Sequence, residues 1–363
     1  KRMSIIKEEL LEIKEKYGEE RRTEIIEDFT SLSIEDMIAE EEMVLTITHN
    51  GYIKRTSLST YRSQRRGGRG VQGASSREED FVEHLFVANT HSYILFFTDK
   101  GKCYWVKVYD IPEGGRAAKG RAIVNLIGCE PDEKVSAFIS VKEFNDDHYV
   151  VMATEKGMVK KTKLSAYSNP RKKGIYAVEI RDGDKLIEAR VSTGDNDILL
   201  GTRNGKSIRF SEEQIRASGR KTMGVKGITL SSEDDRLVGM LLIKREGTVL
   251  VATEKGFGKR TEISQYRAQK RGGKGVLTMK TTDKVGKMVT IKEVVDKDDL
   301  MIITNQGVLI RLPVAQIRSI GRATQGVKLI KLGEGTLVSS ITRIMSEEEE
   351  DENNNTESTE PKE

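Results

Sequence analysis

A Thr-x-x-Gly signature recurs six times along this chain and limits most of what it can become. The copies are Thr48/Gly51, Thr98/Gly101, Thr154/Gly157, Thr202/Gly205, Thr253/Gly256 and Thr304/Gly307, and their glycines lie 50, 56, 48, 51 and 51 residues apart. A period near 50 marks a propeller or similar array, where one unit cannot bury its own apolar face and must stack on the next. Each glycine follows an apolar run such as Ile94-Leu-Phe-Phe97 or Val150-Val-Met-Ala153, and each precedes a second strand-like run. Asn50-Gly51 and Asn204-Gly205 read as type I′ hairpin turns, where glycine supplies positive φ without strain.

A second glycine keeps step with the first. Gly70, Gly120, Gly174, Gly224, Gly275 and Gly326 follow the turn glycines by 19, 19, 17, 19, 19 and 19 residues. A polar, basic loop lies between the two, apolar runs such as Gly224-Val-Lys-Gly-Ile-Thr-Leu230 come after it, and another strand follows, as in Lys185-Leu-Ile-Glu-Ala-Arg-Val191 and Arg236-Leu-Val-Gly-Met-Leu-Leu242. About four strands per repeat predict an all-β fold over residues 43–345, with six four-stranded sheets arranged radially. Hydrophobic residues make up 36% and charged residues 33% of the 363, so the core must be thin or divided.

The two ends differ from this middle. Residues 1–42 carry 7 basic and 14 acidic side chains and residues 346–363 carry 1 and 9, so within a total of +4 the middle holds +19. A strongly basic body between acidic ends points to a polyanionic partner. Ile6, Leu10, Ile13 and Tyr17 repeat at helical spacing, which predicts a short N-terminal helix stopping near Gly18. One apolar stripe on so short a helix needs cover, from a partner helix or from the main body. The acidic tail, 346–363, is low in complexity and is expected to be disordered. It either solubilises the chain or competes as a tethered anion for the basic body.

Other chemistries find little support. Gly201-Thr-Arg-Asn-Gly205-Lys-Ser207 has three residues between its glycines, one fewer than a Walker A loop, and it falls on the fourth turn of the repeat. Gly256-Phe-Gly258 coincides with the fifth. His49, His84, His91 and His148 neither sit four apart on a helix nor pair with Cys103 or Cys129 at a ligand spacing. Two cysteines suit a reducing compartment such as a bacterial cytoplasm rather than a disulfide framework. No stretch reaches the roughly 18 to 20 apolar residues of a membrane span, and the N-terminus lacks a signal-peptide pattern.

Basic side chains also recur with the repeat. Four residues after the turn glycines stand Arg55, Trp105, Lys161, Arg209, Arg260 and Arg311, five of the six cationic. In a radial array equivalent positions share one rim, so a ring or spiral of charge is expected there. The following loops add Arg116 and Lys119, then Arg171, Lys172 and Lys173, then Arg216, Arg220 and Lys221, then Arg318 and Arg322. Two heptads, Gln64-Arg-Arg-Gly-Gly-Arg-Gly70 and Gln269-Lys-Arg-Gly-Gly-Lys-Gly275, place charge on little bulk. Their glycines would let backbone N–H groups approach phosphate. Arg65, Arg66, Arg69, Lys270, Arg271 and Lys274 would add charge-assisted bonds. Contacts to phosphate alone imply binding of a polyphosphate with no base edge read, so largely independent of sequence. At one or two contacts per blade, the number Z is on the order of 6 to 10, and log K should fall with log salt at a slope of about −0.9Z.

The heptad QRRGGRG after the first hairpin resembles the signature box of the C-terminal domain of bacterial DNA gyrase A. Glu15-Lys-Tyr-Gly-Glu-Glu-Arg-Arg-Thr-Glu-Ile25 and Ile34-Glu-Asp-Met-Ile-Ala-Glu-Glu-Glu-Met43 are similar to the family's link between its coiled coil and that domain. Gly51-Tyr-Ile-Lys-Arg55 is similar to its first hairpin, and the likeness covers nearly the whole chain. It implies a six-bladed β-pinwheel, a propeller-like array with its own strand connectivity. It also implies that Gln64, Arg65, Arg66, Gly67, Gly68, Arg69 and Gly70 take the box role, joining the first and last blades. The near-copy at 269–275 would touch DNA without that closing role.

The same resemblance implies a cytoplasmic, nucleoid-associated partner of duplex DNA, wrapping it in one hand as part of an ATP-dependent type II topoisomerase. The rest of gyrase A together with gyrase B would complete an A2B2 assembly, and the fragment alone would be monomeric. The family's nicking tyrosine, ATP and magnesium lie on other parts of that enzyme, so no catalytic residue, cofactor or metal is expected here. The related C-terminal domain of topoisomerase IV typically lacks the box and often has fewer blades. A propeller-type interaction hub would carry aromatic or apolar rim positions, where only Trp105 fits. An enzyme in its own right would need convergent acid, base or metal-binding residues, and the sequence shows none.

Overall fold

The computed structural model describes residues 2–19, 35–48, 50–57, 82–115, 118–130, 132–169, 171–306 and 309–344. These fall into two compact units, Lys1–Ala39 and Glu40–Glu363. In the first, a helix runs from Arg2 to Tyr17 and presents the anticipated stripe, with Ile6, Leu10, Ile13 and Tyr17 all exposed.

The second unit is a six-bladed propeller of small antiparallel sheets. Every blade is built on a hairpin, such as Asp197–Thr202 with Lys206–Ser211 in blade four, and on a third strand that returns beside the first. These returning strands are Val82–Asn89, Val135–Val141, Leu186–Ser192, Leu237–Ile243, Met288–Val294 and Val338–Ile344. Neighbouring returning strands adjoin one another around the axis and line a central channel.

The hairpin turns differ from the type I′ expectation. The glycine N–H donates to the threonine carbonyl three residues back, at 2.9 Å for Gly51 and 3.0 Å for Gly205. Gly51 and Gly205 have φ of +76° and +82°, but no non-glycine among the described residues has positive φ. Asn50 and Asn204 therefore cannot supply the first left-handed residue that type I′ requires. The left-handed glycine instead follows an ordinary turn, the usual arrangement of longer hairpin loops. The threonine hydroxyl helps to close it: Thr48 Oγ1 accepts from the Tyr52 N–H at 3.1 Å.

The fourth strand of each sheet is exchanged between neighbours. Arg121–Ala122 pairs with the second hairpin strand of the blade before it, Tyr52–Ser57. Ile175–Tyr176, Val225–Lys226, Val276–Leu277 and Val327–Lys328 do the same. Each exchanged strand starts directly after a glycine of the second series. Gly224 shows the need for glycine there. Its φ is +80°, and a Cβ would lie 2.3 Å from the Val159 carbonyl oxygen of the preceding blade. Sheet six has three strands among the described residues. The register position that would complete it, Val71-Gln72, lies outside them.

The core is divided, as the modest hydrophobic content requires. Ile94 and Phe96 point into the cluster shared with blade one, whereas Leu95 and Phe97 point into the cluster shared with blade three. A strand buried on both faces needs an unbroken apolar run, because alternate side chains enter opposite layers. Each such side chain contributes roughly 1.5–3 kcal/mol of burial. Five clusters of this kind lie between successive blades, from blades one and two to blades five and six.

Candidate nucleic-acid interface

The cations expected to ring the rim are largely consumed in joining blades. Arg55 donates from Nε to the Ile111 carbonyl in the short 3-10 turn region of blade two, at 2.7 Å, and its Nη2 lies 3.4 Å from Glu113. Lys161 approaches the Glu212 carboxylate of blade four at 3.5 Å and is 7% exposed. Arg209 donates from Nη1 to the Ile263 and Tyr266 carbonyls of blade five at 3.3 and 3.2 Å, while its Nη2 meets Asp197 at 2.6 Å. Arg260 reaches the Ile317 carbonyl of blade six at 2.7 Å and pairs with Asp296. Arg311 alone in this series has a mostly exposed side chain, at 63%, and is held by Asp299 at 2.5 Å. The rim-ring expectation is therefore corrected. A guanidinium with five N–H donors can reach a carbonyl of the next blade and a carboxylate at once, and that geometry holds it against protein.

Trp105 explains the series. Its indole N–H donates to the Tyr167 carbonyl at 2.9 Å, in the same inter-blade direction. What the position requires is a long donor, and charge is incidental. The single tryptophan among five cations was the signal in the sequence that pointed to this role.

Buried lysines one position earlier went unnoticed in the sequence. Lys54, Lys160 and Lys259 are 3%, 1% and 0% exposed. Lys54 donates to the Gly115 carbonyl at 3.0 Å. Lys160 donates to the carbonyls of Ala177, at 2.7 Å, and Arg220. Lys259 donates to Gly321, at 2.7 Å, and Arg322. Each ammonium thus holds the glycine-containing loop of the following blade from beneath. Equivalent positions carry Tyr104, Ile208 and Ile310, so no regular charge pattern marks them.

This burial has a pH consequence. Desolvation, reinforced by the Arg220 guanidinium, pulls the Lys160 pKa down to about 7 from 10.5. Desolvation and Arg322 pull that of Lys259 down to about 8. A base whose folded pKa lies below its unfolded one carries fewer protons folded than unfolded, so stability rises with pH between the two values. Unfolding free energy should climb from about pH 7 toward 10.5, more steeply in the native chain than in a Lys160→Met, Lys259→Met variant. Urea titrations at fixed ionic strength measure it, and equal slopes would refute the assignment.

The cations left facing outward sit elsewhere in the repeat. Lys119, Arg171, Lys172, Lys173, Arg216, Lys221, Lys270, Lys274 and Arg318 are exposed on the loops between the 3-10 turn and the exchanged strand. The exchanged strand is the edge opposite the returning strand in its sheet, so these loops crown the outer edge. Arg121, Lys226 and Lys328, exposed on exchanged strands, extend the same surface; the apolar run after the second glycine marks such a strand, but not its transfer to the sheet of the blade before. Lys119 lies 4.0 Å over the Tyr52 ring, which orders its stem. Arg220 and Arg322 are half-buried, and Arg322 donates to the Leu277 carbonyl at 3.0 Å.

The second heptad has mixed duties. Gln269 N–H donates to the Arg209 carbonyl at 2.8 Å, and Gly272 N–H to the Gly227 carbonyl at 2.7 Å. Arg271 donates from Nε to the Gln214 carbonyl at 3.0 Å and from Nη1 to the Lys226 carbonyl at 3.2 Å. Gly275, at φ +69°, would place a Cβ 2.4 Å from the Ser207 carbonyl oxygen. These groups serve contact between blades rather than a phosphate, contrary to the expectation for the glycines and for Arg271. Lys270 and Lys274 remain outward. Gln64, Arg65, Arg66, Gly67, Gly68, Arg69, Gly70 and Arg116 lie outside the described residues.

Among the described residues, no group of three or more histidines, cysteines, aspartates or glutamates could hold a metal ion. No helix among them is long and apolar enough to cross a membrane.

Comparison with known proteins agrees with this architecture. The sequence matches the family described as DNA gyrase C-terminal domain, beta-propeller, over residues 42–89, 92–142, 148–193, 196–244, 247–294 and 298–344. DNA gyrase A of Staphylococcus epidermidis is 47% identical over 350 residues, which cover 95% of this chain and 39% of that one. The same protein from Staphylococcus aureus is 46% identical over 346 residues, 94% of this chain and 39% of that one. The chain thus spans about two fifths of these relatives. The crystal structure of the C-terminal domain of DNA topoisomerase IV superposes with a TM-score of 0.75 at 26% identity, covering 89% of this chain and all of that one. A DNA gyrase A C-terminal domain superposes at 0.68 with 24% identity, over 84% of this chain and all of that one, a likeness of fold.

Proposed function

This chain belongs to the DNA gyrase C-terminal domain family of β-propellers, and from that premise we propose that it binds duplex DNA along its outer loops and bends it into a handed wrap. The observation that carries this reading is the recurrence of outward cations on one structural element, the loop before the exchanged strand, in blade after blade. A duplex tracking that edge meets positive charge at each step while its bases remain unread, which suits sequence-independent binding. Bending a 20–30 bp site costs roughly 1 to 6 kcal/mol, and the phosphate contacts must offset it.

In this reading the domain serves a type II topoisomerase, in an assembly with the rest of gyrase A and with gyrase B in the cytoplasm. It holds DNA in one hand so that ATP-driven strand passage introduces negative supercoils. The chain itself needs no cofactor, nicks no strand and hydrolyses no ATP. The box residues 64–70 are proposed to join blade one to blade six, since sheet six has three strands among the described residues. The likeness to topoisomerase IV favours a second reading, as that enzyme's C-terminal domain, but QRRGGRG at 64–70 weighs for gyrase. Relaxed plasmid ligated in the presence of this chain should retain a linking-number change of one sign that grows with protein. No change, or changes of both signs, would reject wrapping.

A further inference from the structure

The exchanged strands end in a recurring cross-strand pair. The second residue of each faces the residue that follows a turn glycine: Lys226 faces Met158, and Lys328 faces Phe257. In sheet one Ala122 faces Tyr52, and Lys119 supplies the cation over that ring at 4.0 Å. The Lys328 ammonium lies 5.7 Å from the centre of the Phe257 ring. A lysine stem laid along an apolar neighbour keeps its charged end in water. Sheets one, three and five thus each hold out one exposed ammonium at the outer edge. Sheet four reverses the pair, with Lys206 on the hairpin strand opposite Leu277.

Sheet two breaks the pattern. Its pair is Lys102 and Tyr176. The lysine is spent within the protein: its Nζ lies 2.7 Å from the buried Glu133 carboxylate and 4.0 Å from Glu130. Glu133 also accepts from the Tyr104 hydroxyl at 3.0 Å. What the edge offers outward is Tyr176, 53% exposed, at the register that Lys226 and Lys328 fill elsewhere. Ile175 beside it packs into the cluster between blades two and three. Successive side chains of a strand point to opposite faces, so that anchor fixes the backbone from which Tyr176 projects. Among the described residues the Tyr176 side chain makes no hydrogen bond and no ring contact. It stands three residues beyond Lys173, in line with the outward cations Arg171, Lys172 and Lys173.

We propose that Tyr176 lays its ring into the inward-facing minor groove of the bound duplex, against deoxyribose and base edges, as an uncharged contact of the wrap. This rests on the DNA-binding reading above and adds to it a contact of a different physical kind. Cations on the neighbouring loops hold the duplex backbone at this edge, and a duplex curved around protein turns its minor groove inward there. The carbon faces of the sugars cover an aromatic ring, while the hydroxyl stays in water, as an amphipathic aromatic prefers. A neutral ring displaces no counterion, so its share of the affinity is independent of salt.

The test is fluorescence anisotropy of a labelled duplex titrated with the whole 363-residue chain at several salt concentrations. Tyr176→Ala should weaken binding by about tenfold at each of them, with the slope of log K on log salt unchanged. Tyr176→Phe should recover nearly all of that loss. The double variant Lys226→Ala, Lys328→Ala should instead lower the slope by about 1.8, two phosphate contacts at about 0.9 each. Tyr176→Trp places an indole at the site, and its emission should be quenched by duplex beyond that of Trp105 in the native chain. The ring is exposed and unbonded, so all three Tyr176 variants should melt within about 2 °C of the native chain. Native affinity in Tyr176→Ala, a lowered slope in that variant, or an unquenched indole would each overturn the proposal while leaving DNA on the outer edge. An unchanged slope in the lysine variant and in Arg171→Ala, Lys172→Ala, Lys173→Ala would remove the DNA path itself, and the Tyr176 contact with it.

Discussion

Replacing Arg171, Lys172 and Lys173 with alanine is expected to lower the salt slope of duplex-DNA binding by about 2.7, the loss of three phosphate contacts at about 0.9 each. All three are exposed on the loop that precedes the exchanged strand Ile175–Tyr176. Affinity at moderate salt should fall more than about tenfold, equally for unrelated sequences, because phosphates carry no base identity. The melting temperature should stay within about 2 °C, since surface changes that break no buried bond cost at most about 0.5 kcal/mol. Fluorescence anisotropy between about 50 and 200 mM salt measures the slope. An unchanged slope would move the DNA path away from these loops.

Arg260→Ala should behave in the opposite way. Its guanidinium is the most buried of the repeating arginines, at 8% exposure, and it joins the Ile317 carbonyl of blade six to Asp296. Truncation leaves that carbonyl without its side-chain donor, while the mostly exposed Asp296 is taken up by solvent. The expected cost is about 2 kcal/mol. In a chain of stacked repeats the loss falls first on the interface of blades five and six, so urea unfolding should broaden or split as well as shift. The salt slope of DNA binding should not move. Arg260→Lys should recover part of the stability, because Lys161 fills the equivalent register in blade three. A variant of unchanged stability and lowered salt slope would restore Arg260 to a phosphate-facing role.

The contrast between these two substitutions shows how far the cations were legible in the chain. Both sets repeat with the blade and both are basic, so periodicity alone ranks them alike. Burial and the carbonyls of the next blade separate them, and neither is written locally. Trp105 was the exception, because an aromatic at a cationic register makes sense only if the shared property is an N–H. The buried lysines were harder still. Lys54, Lys160 and Lys259 sit beside Arg55, Lys161 and Arg260 and read as one basic pair, while strand alternation sends one to the loop beneath and the other to the 3-10 turn.

The repeat, its six-fold count, the glycine positions and the divided core followed from residue order, because turn geometry and burial on two faces act within a few residues. Partnership between blades did not. The apolar run after Gly224 marks a strand, but nothing in Val225–Lys226 names its partner, Met158–Lys163, which lies more than sixty residues back. Which charges face water, which clamp a neighbouring blade and which line the channel depended on that long-range exchange. Charge placement is a property of the closed array, because only there do distant carbonyls compete with solvent for the same donors.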